Sequence, residues 1–139
     1  DRANITASIN VKSTITDARE GTERMLLDNP QINVIVTFNE WTTLGVGDAV
    51  EALGAGERTR VVELDRNVKS IGMLEKGNVD ALIVQNPYAM GYLGIEQINT
   101  LLNGQKPEKK ETATSSILVT RENMYDDKSQ KALFSFEEK

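Results

Sequence analysis

Three short apolar runs in this sequence end in side chains that carry hydrogen-bonding chemistry. The run 33–38 (NVIVTF) leads to Asn39 and Glu40, the run 59–64 (TRVVEL) to Asp65 and then Asn67, and the run 79–84 (VDALIV) to Gln85 and Asn86. An amide offers two N–H donors and a carbonyl acceptor, and a carboxylate offers two acceptor oxygens, so a row of them can form paired hydrogen bonds with neighbouring hydroxyls. That lining suits a polyhydroxylated small molecule. Trp41, the single tryptophan, follows Asn39 closely, and an indole face is suited to cover the apolar side of a sugar ring.

Each of these residues also has a structural role open to it. Asn39 and Asp65 precede predicted helices, where Asn and Asp are favoured because the side chain accepts a hydrogen bond from a free helix amide. Taken alone, capping is the commoner role for both. Gln85 is not a favoured cap and ends a strongly apolar run, where an unpaired amide is costly, so ligand and structural roles stand even. A tryptophan such as Trp41 is more often a packing residue than a ligand platform, and Glu40 in a first helical turn complements the helix dipole.

Other apparent motifs lead nowhere. Gly45-Val46-Gly47 falls inside a predicted helix, and Val50 stands where a dinucleotide fingerprint needs its third glycine. Gly54-Ala55-Gly56 is followed by Glu57-Arg58-Thr59, without the lysine of a phosphate loop. Asp17, Glu20 and Glu23 read as a solvated helix face. Cysteine and histidine are both absent, which removes disulfides, thiolate nucleophiles, the commonest metal ligand and the usual proton shuttle. The expectation is a binding protein with no catalytic residues, no metal and no cofactor.

The elements that must position the polar row alternate between strand and helix. Residues 4–10, with Ile5, Ala7 and Ile9 at period two, predict an edge or half-exposed strand. Ile15, Ala18, Thr22, Met25 and Leu26 recur at helical spacing and stop before Asn29-Pro30. The run 33–38 is apolar on both faces, the pattern of a strand buried between helix layers at the centre of a sheet. A helix through Leu44 to Leu53 is ended by Gly54 and Gly56. After the strand 59–64, a shorter helix over 68–74 is closed by Gly77, and the strand 79–84 follows. A long helix over 88–102 stops at Gly104, 106–111 is a surface connector, and 112–120 is a last strand. The class that follows is α/β, a mainly parallel sheet with helices on both faces.

At 139 residues the chain has the length of one domain. Its net charge of −5, with bases interspersed among acids, opposes nucleic-acid binding. No run approaches the roughly 20 apolar residues of a membrane span. The polar start leading straight into a strand-like run reads as a cut, with sequence expected upstream. Residues 1–120 are expected to form the α/β region, and the charged segment 121–139 a loosely attached tail.

Together 37–40 (TFNE), 61–65 (VVELD) and 83–94 (IVQNPYAMGYLG) resemble the periplasmic sugar-binding proteins of the ribose type, and the closing 119–123 (VTREN) extends the likeness, which runs from about residue 14 to 123. The resemblance implies a two-lobed fold of which this chain is mostly the carboxy-terminal lobe. It also implies that the helix 88–102 belongs to the other, amino-terminal lobe, most of which is missing from this sequence. Asn39, Asp65 and Gln85 would then hydrogen-bond sugar hydroxyls, with Glu40 and Trp41 as further contacts. Family members often have Asp at the position of Glu40 and Gly at that of Arg66. The family implies a monosaccharide or related polyol as ligand and a hinge closing over it. The closed form is delivered to the membrane permease of an ABC transporter or sensed by a receptor kinase. The setting implied is periplasmic or extracellular, with a lipid anchor on an upstream segment as one form. Effector domains of lactose-repressor-type regulators share the fold, and the Arg121-Glu122-Asn123 ending favours the exported proteins over them.

Overall fold

A computed structural model describes residues 3–107 and 109–134. The chain runs α1 (Ile15–Asp28), β1 (Val34–Thr37), α2 (Glu40–Ala52), β2 (Arg60–Leu64), α3 (Val68–Lys76), β3 (Ala81–Val84), α4 (Pro87–Leu102), β4 (Ile117–Thr120) and α5 (Asp127–Phe134). The strands make one sheet in the order β1-β2-β3-β4, the first three parallel and β4 antiparallel to β3. Parallel neighbours need a crossover, and α2 and α3 supply it. The α/β class with a mainly parallel sheet is borne out.

Helix ends follow the local chemistry of the sequence. Thr14 opens α1 by accepting from the Asp17 N–H at 3.1 Å, and Asn29 closes it just before Pro30. Asn67 and Ser70 form a reciprocal capping box at the start of α3, and Gly77 ends that helix at φ 87°, a left-handed turn that glycine adopts without penalty. One face of the sheet presents Ile35, Val61, Leu82, Val84 and Val119 to Leu26, Leu44, Val50 and Leu74 from the helices, all buried. Helices α1 and α2 cross closely at Gly45. A Cβ there would meet the Ile15 carbonyl oxygen, Ala18 Cβ at 2.6 Å and Arg19 N at 2.8 Å. The Gly45-Val46-Gly47 sequence thus serves helix packing.

Four expectations are corrected. Residues 4–10 form no strand, and Ile5 and Ile9 are exposed. Alternating residues make a strand only where another backbone pairs with them, and among the described residues none does. Ile9 and Val11 instead lie against α1 at Gly21. The run 33–38 supplies the sheet edge, not its centre: among the described residues β1 pairs only with β2, and Val34 and Val36 are half exposed. Being apolar on both faces is a property of the residues, whereas central position depends on which strands pair. Of 112–120, only Ile117–Thr120 pairs with β3. Finally, the segment after 120 is not loose over its described part. Met124 and Leu133 enter the main core, and Gln130 Nε2 donates to the Met124 carbonyl at 2.7 Å. Two apolar side chains that reach the core anchor a segment whose average composition is polar. Residues 135–139 of that segment lie outside the described residues.

Candidate functional site

In the sheet register Thr37 stands opposite Glu63, and Leu64 opposite Ile83. Asn39 and Asp65 therefore each lie two residues beyond a matched pair, and Gln85 lies two beyond Ile83. All three leave adjacent strands at the carboxyl end of the sheet, where open α/β sheets bind their ligands. The strand ends bring these residues to one rim.

Asn39 does cap α2: its Oδ1 accepts from the Thr42 N–H at 3.0 Å and from the Thr42 hydroxyl at 3.2 Å. Among the described residues its Nδ2 makes only a long 3.4 Å bond to Ser13 Oγ, so the amide keeps donor capacity on the rim. Asp65 is not the cap of the following helix; Asn67 is, because α3 begins at Val68. Asp65 sits at φ 87°, in the left-handed region where a non-glycine residue is uncommon and strained. Its Oδ1 accepts from the Arg66 N–H at 2.9 Å, leaving the other oxygen for another partner. Gln85 is half buried, and among the described residues nothing hydrogen-bonds its amide. Glu40 is half buried in the first turn of α2, and Trp41 is 51% exposed.

A half-open hollow of about 500 Å³ lies beside Gln85, lined also by Asn86, Tyr88, Ser115, Lys128 and Lys131. Asn39 and Asp65 do not line it. Among the described residues the three rim side chains share an edge of the sheet and not a closed chamber.

One functional candidate escaped the sequence reading. Glu63, two residues before Asp65 on β2, is wholly buried, and neither of its carboxyl oxygens has a hydrogen bond of good geometry. Burial pushes its pKa up from 4.5 to about 8; the nearby Ser70 and Thr43 hydroxyls oppose the rise, and Asp65 and Glu40 add to it. The signal in the sequence was an acid at an inward position of an apolar strand, on the same face as Val61.

The sequence matches a family model described as a periplasmic binding protein domain over residues 3–106. It is 29% identical over 89 residues to the ribose import binding protein of Haemophilus influenzae, an overlap of 64% of this chain and 30% of that protein. Among solved structures, a carbohydrate transporter solute binding protein from Agrobacterium radiobacter, in complex with D-arabinose, superposes with a TM-score of 0.78 at 29% identity. That match covers 88% of this chain and 41% of the other. An ABC transporter solute binding protein from Agrobacterium vitis with bound D-fucose gives 0.79 at 26% identity, covering 92% and 44%. The chain thus spans less than half the length of each of these relatives.

Proposed function

This chain belongs to the periplasmic binding protein domain family, and from that premise we propose that it supplies one wall of an inter-lobe cleft that captures a monosaccharide or related polyol. The observation that carries the reading is the rim itself: amide, carboxylate and amide side chains leave three neighbouring parallel strands at one end of the sheet. Asn39 offers donors, Asp65 a free acceptor oxygen and Gln85 both, which matches vicinal hydroxyls that each donate and accept. Relatives of this chain are described with D-arabinose and D-fucose bound and as a ribose import protein, which supports a pentose or hexose as ligand.

The remainder of the cleft belongs, in this reading, to a second lobe of the full-length protein, and helix α4 is the surface that lobe covers. None of the residues of α4 is buried, yet it carries Tyr88, Met90, Tyr92, Ile95, Ile98 and Leu101. Hinge closure brings the two walls together, and the closed form is handed to the permease of an ABC transporter outside the cytoplasm. The rim holds its ligand without making or breaking a bond.

Calorimetric titration of the full-length protein with D-ribose, D-arabinose, D-fucose and a hexose panel tests this. One sugar is expected to bind tightly, and Asp65→Ala and Gln85→Ala are each expected to weaken it by at least about 1 kcal/mol. Variants that bind as well as the parent would return these residues to purely structural roles.

A further inference from the structure

We propose that Glu63 is a positioning residue of the rim: held as a neutral acid beneath the strand ends, it joins β2 to the first turns of α2 and α3, so that ligand capture depends on its proton. The inference rests on the cleft reading above. It starts from three buried polar atoms without partners, both carboxyl oxygens of Glu63 and Nδ2 of Asn67. An unpaired buried polar group is costly and an unpaired buried charge more so, which makes such atoms informative.

The surroundings decide the protonation state. The β1 neighbour in register is Thr37, the β3 neighbour is Leu82, α2 brings Thr43 and α3 brings Ser70. Each hydroxyl is already engaged. Thr37 and Thr43 bond one another, Thr43 also reaches the Asn39 carbonyl at 3.1 Å, and Ser70 reaches the Asn67 carbonyl at 3.1 Å. Their protons are drawn toward these other acceptors, and what Ser70 and Thr43 offer the anion is outweighed by the cost of burying it. The charged groups that bear on Glu63 are Glu40 from α2 and Asp65 from the turn after β2, both of its own sign. A neutral carboxyl resolves the conflict, because its O–H can donate to a hydroxyl lone pair that the existing bonds leave open.

The consequence concerns the rim. Asn39 and Thr43 share one first turn, Asn67 and Ser70 the other, and Asp65 lies between β2 and α3. Ionising Glu63 places a third negative charge under Glu40 and Asp65 and drives the buried carboxylate toward water. The turns that hold Asn39 and Asp65 are then displaced. Sugar affinity should fall as pH rises through about 8.

The test uses the full-length protein, wild type and Glu63→Gln, titrated with D-ribose, D-arabinose and D-fucose from about pH 6 to about pH 10, with carbon NMR of 13C-labelled glutamate carboxyls alongside. In the wild type one glutamate carboxyl should titrate near pH 8, and affinity should fall at least about tenfold over the same interval. The Gln variant, which has no proton to lose, should lack that resonance and bind with little dependence on pH. A wild type whose glutamates all titrate below about pH 6 overturns the proposal. So does a Gln variant that loses affinity in parallel with the wild type. If the variant does not fold, the wild-type NMR and affinity titrations together carry the decision. If no sugar binds at any pH, the cleft reading fails, and the thermal midpoint becomes the readout for Glu63. A wild-type midpoint that falls between about pH 5 and about pH 8 and levels above that, with the variant flat, supports its role, and parallel midpoints overturn it.

Discussion

In the proposed cleft Asp65 would serve two ends that pull against each other. Its backbone is at φ 87°, where an L side chain costs roughly 1–2 kcal/mol and glycine costs nothing. Its carboxylate also adds like charge beside buried Glu63. The local bond from the Arg66 N–H to Oδ1 offsets part of that cost, but glycine would avoid both the strain and the added charge. Asp65→Gly is therefore expected to raise the thermal midpoint of the full-length protein, by a gain of about 1 kcal/mol, while abolishing sugar binding. Lower stability with binding intact would assign Asp65 to the fold. Glu63 gives a second prediction, with its sign set by linkage. Its folded pKa is raised from 4.5 to about 8, so its contribution to stability is fully present below about pH 4.5 and is lost as pH rises through about 8. Urea unfolding should show Glu63→Gln gaining on the wild type between about pH 5 and pH 9, by a few kcal/mol in order of magnitude.

Among the elements, the crossing of α1 and α2 is where one methyl group matters most. A Cβ at Gly45 would strike the Ile15 carbonyl, Ala18 Cβ and Arg19 N, so the obstacle is α1 itself and not the flexible end of a side chain. Alanine gains up to about 1 kcal/mol over glycine within a helix. Overpacking against backbone costs about 1–3 kcal/mol or more, so the clash wins. Gly45→Ala should destabilise by about 2 kcal/mol in net effect. Gly72→Ala in α3, where nothing lies within 4 Å, should stabilise by up to about 1 kcal/mol. Chemical denaturation of the two variants reads the contrast directly, and equal effects would mean that α1 and α2 do not cross as described.

At the scale of the whole molecule, α4 is the element whose pattern and surroundings disagree. Ile95 and Ile98 are 69% and 52% exposed, so replacing both by serine should alter the stability of the 139-residue chain by no more than about 0.5 kcal/mol. If a second lobe covers this stripe, the same pair of changes in the full-length protein buries two hydroxyls in place of apolar area, at a cost of at least about 2 kcal/mol. Denaturation midpoints for both forms of the protein decide between these. Equal, small effects would leave α4 on a free surface.

Helices α1 to α4 and the polar ends of the strands were legible in the residues, because their causes are local, whereas α5 fell in a segment whose charged composition hid it. Thr14, Asn39 and Asn67 start helices with their own side chains, Gly77 and Gly104 turn the chain at positive φ, and Pro30 follows the end of α1. The spacing of Asn39, Asp65 and Gln85 after successive apolar runs likewise placed them at one end of a parallel sheet, since strand direction is shared. Pairing is not local, and there the sequence ran out. It could not tell that β1 lies at the edge, that residues 4–10 have no strand to pair with, or that Met124 and Leu133 reach the core. Nor could composition reveal that Glu63 is closed off from water, because its environment is built by residues on β1, α2, α3 and β3. Local hydrogen bonding and periodicity belong to the chain itself, whereas burial, strand order and a shifted proton equilibrium exist only once distant segments have met.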